Sequence, residues 1–361
     1  MMKYRHLSRT EIWKFMEVSM RRRILSGVAF AIMIASSLTA CGSTPDSSGT
    51  VPETEEDSAS YVWKCALNST EGDNCYDQAV IFAEKIHELT GGQVEVELYG
   101  GASLGSTSEV LEGMSAGVAD IICEGLGMLS PFTELTNIDA MPYIYSGYDH
   151  FMAVWSSELG NQLKQEIGDA SGFKLLGGAY RGPRIVTSTK RIDTIEGFQG
   201  FKLRAPNLEV YLKTWQWLDA APTPLSMNEV YTALQQNTVE GQENPFADSL
   251  NYSFDEVCDY WIKTNHVYSC SLFMMDKSYF ESLPQEIQSA VIEAAEYAGE
   301  EISAIQEQRD QEAEQQVLSE GCEVIEMDTV ALAEYFDGFA EENFPDLADW
   351  VNRIKEADPA A

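Results

Sequence analysis

The chain has 361 residues, and its 58 Asp and Glu against 23 Lys and Arg give a net charge of −35 at pH 7. A field of this sign repels nucleic acid and anionic lipid headgroups, so we predict no nucleic-acid partner. A small organic anion stays compatible, because salt screens distant charges within about 10 Å and a local arginine decides the contact. The four histidines and seven cysteines match no metal-binding spacing, so we predict no metal and no cofactor.

The amino terminus has the build of an export signal. Three arginines at 21–23 precede an apolar run at 24–35, which is too short to span a membrane. Cys41 follows small residues just after this run and resembles the cysteine of a bacterial lipoprotein signal; an ordinary signal with an incidental cysteine is the alternative. The resemblance implies a signal peptide at 1–40 and an extracytoplasmic protein anchored to the cell membrane by a lipid on Cys41. Residues 41–59 are predicted to be a flexible tether, because Ser, Thr, Pro and acidic residues dominate them.

Strand and helix signals alternate over the first part of the folded chain. Alternating apolar residues predict strands, and apolar residues at helical spacing predict the helices between them. The predicted elements are a strand at 61–67, a helix ending at Gly91-Gly92, a strand at 94–99, a helix opening at Ser106 and a strand at 118–123. This order predicts a mostly parallel sheet, in which ligands bind at the carboxyl ends of the strands. Asn68 and Glu124 each follow a predicted strand and are candidates for the ligand site.

A second alternating unit and a long helix follow. Strands are predicted at 174–180, 185–187 and 201–203. Arg204 comes directly after the last of them, and the segment 239–245 is predicted to be turn-rich. Apolar residues at helical spacing continue from 282 to 320, and a helix of this length spans roughly 60 Å. Such a helix is longer than one lobe, so we expect it to brace two.

The arginines are concentrated in one stretch. After Cys41 the chain has six of them, and four fall within 24 residues: Arg181, Arg184, Arg191 and Arg204. A planar guanidinium binds a carboxylate through two hydrogen bonds, so this cluster beside turn-forming Gly and Pro predicts a site for a small anion. The competing interpretations are a structural ion pair between Arg204 and Glu229 and a solvated surface position for Arg191.

Four phrases in the second unit resemble one protein family. They are Lys202-Leu-Arg-Ala-Pro206, Pro222-Thr-Pro224, Glu229-Val-Tyr-x-Ala-Leu-Gln235 and Glu240-Gly-Gln-Glu-Asn-Pro245. The chain thereby resembles the extracytoplasmic solute-binding proteins of TRAP transporters, the DctP-like family, from about Tyr61 to its end. The resemblance implies a two-lobed α/β fold of the periplasmic-binding-protein type, a cleft that closes on ligand, and a long helix spanning both lobes. Lobe I would hold residues 60–180 plus about 270–309, and lobe II residues 181–269 plus about 310–361.

The resemblance also implies roles for individual residues at one end of the ligand. Arg204 matches the arginine that binds the ligand carboxylate bidentately, and Arg184 matches a second arginine facing the same cleft. Asn244 matches an amide that hydrogen-bonds the same end of the ligand. Met227 stands where many members place an aromatic ring over the ligand, and core filling is its alternative role.

The far end of the ligand is assigned in the same way. Asn68 and Glu124 match positions in the first lobe that contact the polar remainder of the ligand. A turn-forming role for Asn68 and a charge-cancelling role for Glu124 are the alternatives. Arg181 is a base that the family pattern does not require, and it is a candidate for contact with a second acidic group.

The implied function is that of a monomeric solute-binding protein, not an enzyme. It would capture a small organic acid (a sugar acid, a sialic-acid-like compound or a C4-dicarboxylate) and deliver it to TRAP membrane permease subunits. One alternative is a tethered ligand receptor for a sensor kinase, which would use the same cleft. The other is an exported enzyme acting on organic acids, but the sequence has no Gly-x-Ser-x-Gly motif and no metal spacing.

Overall fold

Two β-sheets and one long helix dominate the described structure. The computed structural model describes residues 60–360, so the predicted signal peptide, Cys41 and the tether lie outside the described residues. Within residues 60–360, no helix is long and apolar enough to cross a membrane.

Eleven strands within residues 60–360 form the two sheets. They are β1 (Tyr61–Ala66), β2 (Val94–Tyr99), β3 (Ile121–Gly125), β4 (Phe173–Pro183), β5 (Ile185–Ser188), β6 (Lys202–Ala205), β7 (Ala221–Pro224), β8 (Gly241–Asn244), β9 (Tyr260–Lys263), β10 (Tyr268–Asp276) and β11 (Glu323–Glu326). The first sheet has the order β2-β1-β3-β10-β4, and the second has the order β11-β9-β5-β8-β6-β7. In the first sheet β1 runs parallel to β2 and β3, whereas β10 is antiparallel to its neighbours.

Helices connect the strands and end the chain. They are α1 (Asn74–Thr90), α2 (Thr107–Gly113), α3 (Tyr148–Trp155), α4 (Glu158–Ser171), α5 (Glu209–Trp217), α6 (Met227–Gln235), α7 (Phe246–Asn251), α8 (Lys277–Ser282), α9 (Gln285–Glu320), α10 (Thr329–Tyr335), α11 (Phe339–Asn343) and α12 (Ala348–Glu356). Local chemistry sets several of their ends. The Asp73 side chain accepts the N–H of Cys75 at the start of α1, and Gly91 ends that helix in the left-handed conformation. Ser106 and Ser226 open α2 and α6 through capping boxes.

The two sheets belong to two lobes joined by α9 and by two chain crossings. Helix α9 has 36 residues, which corresponds to about 54 Å, and it packs against β4 and α1 on one side and α7 and β11 on the other. The predicted α/β fold with a helix spanning both lobes is therefore confirmed. The chain crosses between lobes at 183–185 and again at 264–268, where the N–H of Arg184 donates to the Val267 carbonyl at 2.9 Å.

The helices that end the chain contact elements of both lobes. The His150 Nε2 atom on α3 lies 2.7 Å from the Ile354 carbonyl on α12, and the Trp350 indole donates to Glu166 on α4. On the other side, the Trp217 indole on α5 donates to the Tyr335 carbonyl at 3.0 Å. The carboxyl-terminal segment is thus a further link between the lobes.

One local prediction is wrong. The segment 239–245, predicted as turn-rich, contains the strand β8, which lies inside the second sheet between β5 and β6 with every residue buried. Its polar side chains are tolerated there because they have partners. The Gln242 amide donates to Thr187 and Ser249, and Glu243 accepts from Arg184. The polar composition of the segment predicted a turn. The segment is instead a buried strand, because its polar side chains form hydrogen bonds with other residues of the protein.

A buried carboxyl group lies where α9 passes the first crossing. Asp310 Oδ1 accepts the backbone N–H of Ala247 at 3.0 Å, and the residue is 7% exposed. Gly182, in the left-handed region with φ +89°, fits so closely that a Cβ there would lie 2.1 Å from Asp310 Oδ2. Burial raises the pKa of Asp310 to about 8, so this acid is largely protonated at neutral pH.

We expect Asp310→Asn to stabilise the protein at alkaline pH. Since the folded pKa is raised from 3.8 to about 8, the folded state keeps a proton that the unfolded chain releases. The resulting stabilisation is complete below pH 3.8 and is lost as the pH rises through 8. Asparagine keeps the acceptor for Ala247 without a charge, so the variant should exceed the wild type by about 5 kcal/mol at pH 8 and nearly match it at about pH 4.

Urea unfolding of both proteins at the two pH values measures this difference. The exposed Asp337→Asn provides the control, because it removes the same charge from an acidic chain without touching the crossing. An equal gain in both variants would assign the effect to net charge and not to the Asp310 site.

Candidate ligand-binding site

Arg204 is a buried arginine without an acidic partner in the described part of the chain. It lies within β6, not after the strand as predicted, and is 5% exposed. Its Nε and Nη2 groups both donate to the Leu225 carbonyl, at 2.9 and 2.7 Å. No carboxylate among residues 60–360 lies within 4.0 Å of its guanidinium nitrogens. The alternative pair with Glu229 is wrong, because Glu229 instead accepts the backbone N–H of Ser226.

The surroundings of Arg204 disfavour its positive charge. Burial lowers its pKa from 12.5 to about 10, and the neighbouring Arg184 acts in the same direction, while Glu243 opposes them. A buried cation held by a single carbonyl oxygen lacks the counter-ion that usually offsets desolvation. An anion placed against the guanidinium would supply it.

Arg184 has a different environment, because Glu243 already neutralises it. Its Nε donates to Glu243 Oε2, and its Nη2 donates to Oε1 at 2.8 Å and to the Glu243 carbonyl at 2.7 Å. The guanidinium also lies 5.1 Å from the ring centroid of Tyr211. Within residues 60–360, only its Nη1 group has no protein acceptor. Arg184 can therefore offer a ligand only its Nη1 group, not the two nitrogens that a bidentate pair with a carboxylate uses.

Glu243 is the centre of this buried network. Burial raises its pKa, but Arg184 outweighs burial and brings the pKa down to about 2. His266 adds a contact of 3.3 Å from Nε2 to Glu243 Oε2, and its Nδ1 lies 2.9 Å from the Thr264 hydroxyl. Both His266 and Arg184 belong to the crossings, so the network lies where the lobes join.

Asn244 and Met227 lie together beside this network. The Asn244 amide donates to Gln242 Oε1 at 2.7 Å and lies 3.9 Å from the Met227 sulfur. Met227 begins α6, only two residues after the carbonyl that holds Arg204, and is half-buried. The residues predicted for the carboxylate end of the ligand therefore come from neighbouring parts of the second sheet and α6.

Arg181 has acidic partners from this chain. Its Nη2 lies 3.5 Å from Asp248 Oδ2. Burial acts to lower its pKa, but the influence of Cys75, Asp248, Asp73 and Glu124 outweighs burial and raises it. Its Nε is buried with no hydrogen-bond partner among the described residues. The suggested contact with a second acidic group is thus made by Asp248 of the protein itself.

The two candidates from the first lobe lie at the carboxyl ends of two neighbouring parallel strands, β1 and β3. Glu124 is half-buried within β3, where its carboxylate accepts the Thr107 hydroxyl at 3.1 Å and the Gly125 N–H at 2.9 Å. Burial raises the pKa of Glu124, and Arg181 counteracts it. Asn68 follows β1, is exposed, and lines a shallow depression with Thr107 and Tyr99. Thr107 thus contacts Glu124 and also lines the depression beside Asn68.

Sequence reasoning missed four residues of this region: Glu243, Asp248, Asp73 and Tyr252. Glu243 lies inside one of the phrases that resemble the family. The only sequence signal for its role was its position between two amide residues, Gln242 and Asn244, which need hydrogen-bond partners. Asp73 and Asp248 belong to helix starts, where acids are common, so nothing in the sequence set them apart. Within residues 60–360, no group of three or more His, Cys, Asp or Glu is arranged to hold a metal ion.

Comparison with known proteins identifies the family. The family of bacterial extracellular solute-binding proteins, family 7 (DctP), matches residues 66–342. The chain belongs to the DctP family. A solute-binding protein of Roseobacter denitrificans is 35% identical over 222 residues, which are 62% of this chain and 68% of that protein. The sialic acid-binding periplasmic protein SiaP of Vibrio cholerae is 28% identical over 242 residues, or 67% of this chain and 75% of that one.

The fold of this DctP-family chain also matches solved structures. The crystal structure of a TRAP periplasmic solute-binding protein from Roseobacter denitrificans, determined with bound L-galactonate, has a TM-score of 0.76 and 29% identity. The match covers 82% of this chain and 99% of that one. The TRAP solute-binding resemblance and the two-lobed architecture inferred from the sequence are therefore confirmed, and the family consists of solute-binding proteins.

Proposed function

We propose that this DctP-family chain binds a small organic acid between its lobes, with Arg204 as the principal contact to the ligand carboxylate. Arg184 adds its Nη1 group, and the Asn244 amide is assigned to the same end of the ligand. Met227 forms an apolar wall at this end. Glu124 and Asn68 are assigned to the polar remainder of the ligand.

The unmatched charge of Arg204 is the observation that carries this proposal. Three arginines lie in the region, and their contacts separate them: Arg184 is neutralised by Glu243 and Arg181 by Asp248. Arg204 is as buried as Arg184 but is held only by a carbonyl. Of the three, Arg204 therefore gains most from an external carboxylate, because a charge-assisted bidentate pair would restore its counter-ion.

Relatives support an acidic ligand. The Roseobacter denitrificans protein holds L-galactonate, and SiaP of Vibrio cholerae is named for sialic acid. Both ligands are carboxylic acids that carry several hydroxyl groups. For this chain, a sugar acid, a sialic-acid-like compound and a C4-dicarboxylate are the candidate classes.

Matched ligand pairs test the proposal on the mature protein. Calorimetry with galactonate and galactonamide, gluconate and gluconamide, N-acetylneuraminate and its methyl ester, and succinate and succinamide should show heat of binding only for acids. Binding of a neutral partner as tightly as its acid would contradict carboxylate capture. Turnover of any acid on prolonged incubation would favour the exported enzyme instead.

Delivery to the membrane follows from the same proposal. TRAP permease subunits would receive the ligand from a monomer tethered through a lipid on Cys41, with residues 1–40 removed and 41–59 as the tether. The lobe boundaries are proposed at about 180, 269 and 309. The intact mass of protein isolated from membranes tests the anchor, since a chain that begins at an unmodified Cys41 would contradict it. Genes for permease subunits beside this one would distinguish transport from the sensor-kinase alternative.

A further inference from the structure

The surroundings of Arg181 contain more acids than bases. Arg181 Nη2 lies 3.5 Å from Asp248 Oδ2, and the charges of Asp73 and Glu124 act on the same guanidinium. Asp73 and Asp248 are each 5% exposed, one from the start of α1 in the first lobe and the other from α7 in the second. We call Arg181, Asp73, Glu124 and Asp248 the acidic cluster. It contains residues of both lobes.

The acidic cluster lies within electrostatic reach of the proposed carboxylate site. The Tyr252 phenol feels the charges of Asp73, Asp248 and Glu124, and it acts in turn on Arg204. Arg184 likewise influences both Arg204 and Asp248. In the proposed function Glu124 contacts the polar remainder of the ligand, and Arg181 lies next to Glu124, because a Cβ on the adjacent Gly125 would be 3.0 Å from Arg181 Nη1. A ligand whose carboxylate meets Arg204 would therefore have its other end at the acidic cluster.

The acidic cluster contains one base, Arg181, and three acids. Burial acts to lower the pKa of Arg181, but the influence of Cys75, Asp248, Asp73 and Glu124 raises it. Burial raises the pKa of Asp73 to about 6 and also raises the pKa of Asp248 and Glu124, so burial already disfavours negative charge on these carboxylates. A second ligand carboxylate would add one more anion to this group. Ligand hydroxyls would instead donate hydrogen bonds to carboxylate oxygens without adding charge.

We propose that Asp248, by occupying Arg181, makes this protein select monocarboxylates that carry hydroxyl groups and reject acids with a second carboxylate at the far end. This inference rests on the proposed function, and it narrows the ligand to hydroxylated monoacids such as aldonates and uronates. Asp248 is a specificity-determining residue in this arrangement. Removing its charge releases Arg181 for a second ligand carboxylate.

The test compares acids that differ only at the far carbon. Galactonate and galactarate share their carbon chain and hydroxyl pattern, and gluconate and glucarate form a second such pair. Calorimetry on the wild type should show at least one monoacid bound about tenfold or more tightly than its diacid. In Asp248→Asn the ratio of diacid to monoacid affinity should rise about tenfold or more, since Arg181 is then free to pair.

Two further variants keep the result interpretable. Asp73→Asn, which keeps a good helix cap for α1, should shift the ratio in the same direction if Asp248→Asn does not fold. Asp259→Asn removes one charge from an exposed position of the second lobe and should leave the ratio unchanged. An equal shift in Asp259→Asn would overturn the role of the cluster.

The outcomes separate this inference from the proposed function. A wild type that binds a diacid as tightly as its monoacid would overturn the selectivity while leaving carboxylate capture in place. A ratio that does not move in either cluster variant would overturn the role of Asp248. A wild type that binds the neutral partners and the acids alike would overturn both.

Discussion

Replacing Arg204 with alanine is expected to weaken the binding of the organic acid by about a hundredfold or more, or ~2–5 kcal/mol. The closed cleft would desolvate the ligand carboxylate, and without the guanidinium that carboxylate would lack its ion-pair partner. The fold should lose little, because the residue makes no ion pair within residues 60–360 and donates only to the Leu225 carbonyl. Calorimetry measures the affinity, and thermal melting measures the stability.

Two other variants sharpen this prediction. Arg204→Lys keeps the charge but loses the planar fork, so its affinity should fall between those of the wild type and the alanine variant. Arg191→Ala removes an exposed arginine that is paired with Asp193 and Glu323, and it should bind as the wild type does. Unchanged affinity in Arg204→Ala, with the Arg191 control behaving normally, would refute the assignment.

Replacing Glu243 with alanine is expected to destabilise the protein by about 3–5 kcal/mol at pH 7. The change leaves Arg184 buried without its counter-ion, and His266 loses the same partner. The pKa of Glu243 is lowered from 4.5 to about 2, so its stabilising contribution is complete above 4.5 and is lost as the pH falls through 2. Urea unfolding at pH 7 and at about pH 3 should therefore show a smaller effect of the substitution in acid.

Glu323→Ala is the matched control for this prediction. It also breaks a pair between a glutamate and an arginine, Arg191, but both side chains are about half exposed. We expect it to change stability far less than Glu243→Ala does, because solvent screens exposed ion pairs. Similar losses of stability in the two variants would contradict the claim that burial makes the Glu243–Arg184 pair more stabilising than an exposed pair.

Most of the fold was predictable because local signals agreed with it. The strand at 61–67 and the helix ending at Gly91-Gly92 appear as β1 and α1 within about a residue. The spacing of apolar residues alone predicted the long helix. The strand β8 was not predicted, because Gly241-Gln-Glu-Asn244 has the composition of a loop. It forms a strand through partners distant in sequence, such as Arg184.

The site was predictable in its residue types but not in its pairings. The arginine cluster at 181–204 predicted an anion site, and the family resemblance singled out Arg204 within it, but the carboxylate partners of the other arginines were not predicted. Arg184 meets Glu243 and Arg181 meets Asp248 through contacts between residues 59 and 67 positions apart in the sequence. Whether a guanidinium keeps an unpaired charge depends on such distant carboxylates, so the physical reason why Arg204 differs from its neighbours comes from the three-dimensional structure.

A crystal structure of the mature protein with its tightest-binding acid tests the central claim most directly. The account predicts both carboxylate oxygens at about 2.7–3.0 Å from guanidinium nitrogens of Arg204, inside the cleft between the lobes. A bound acid whose carboxylate pairs with a different residue, while Arg204 still donates only to Leu225, would contradict it.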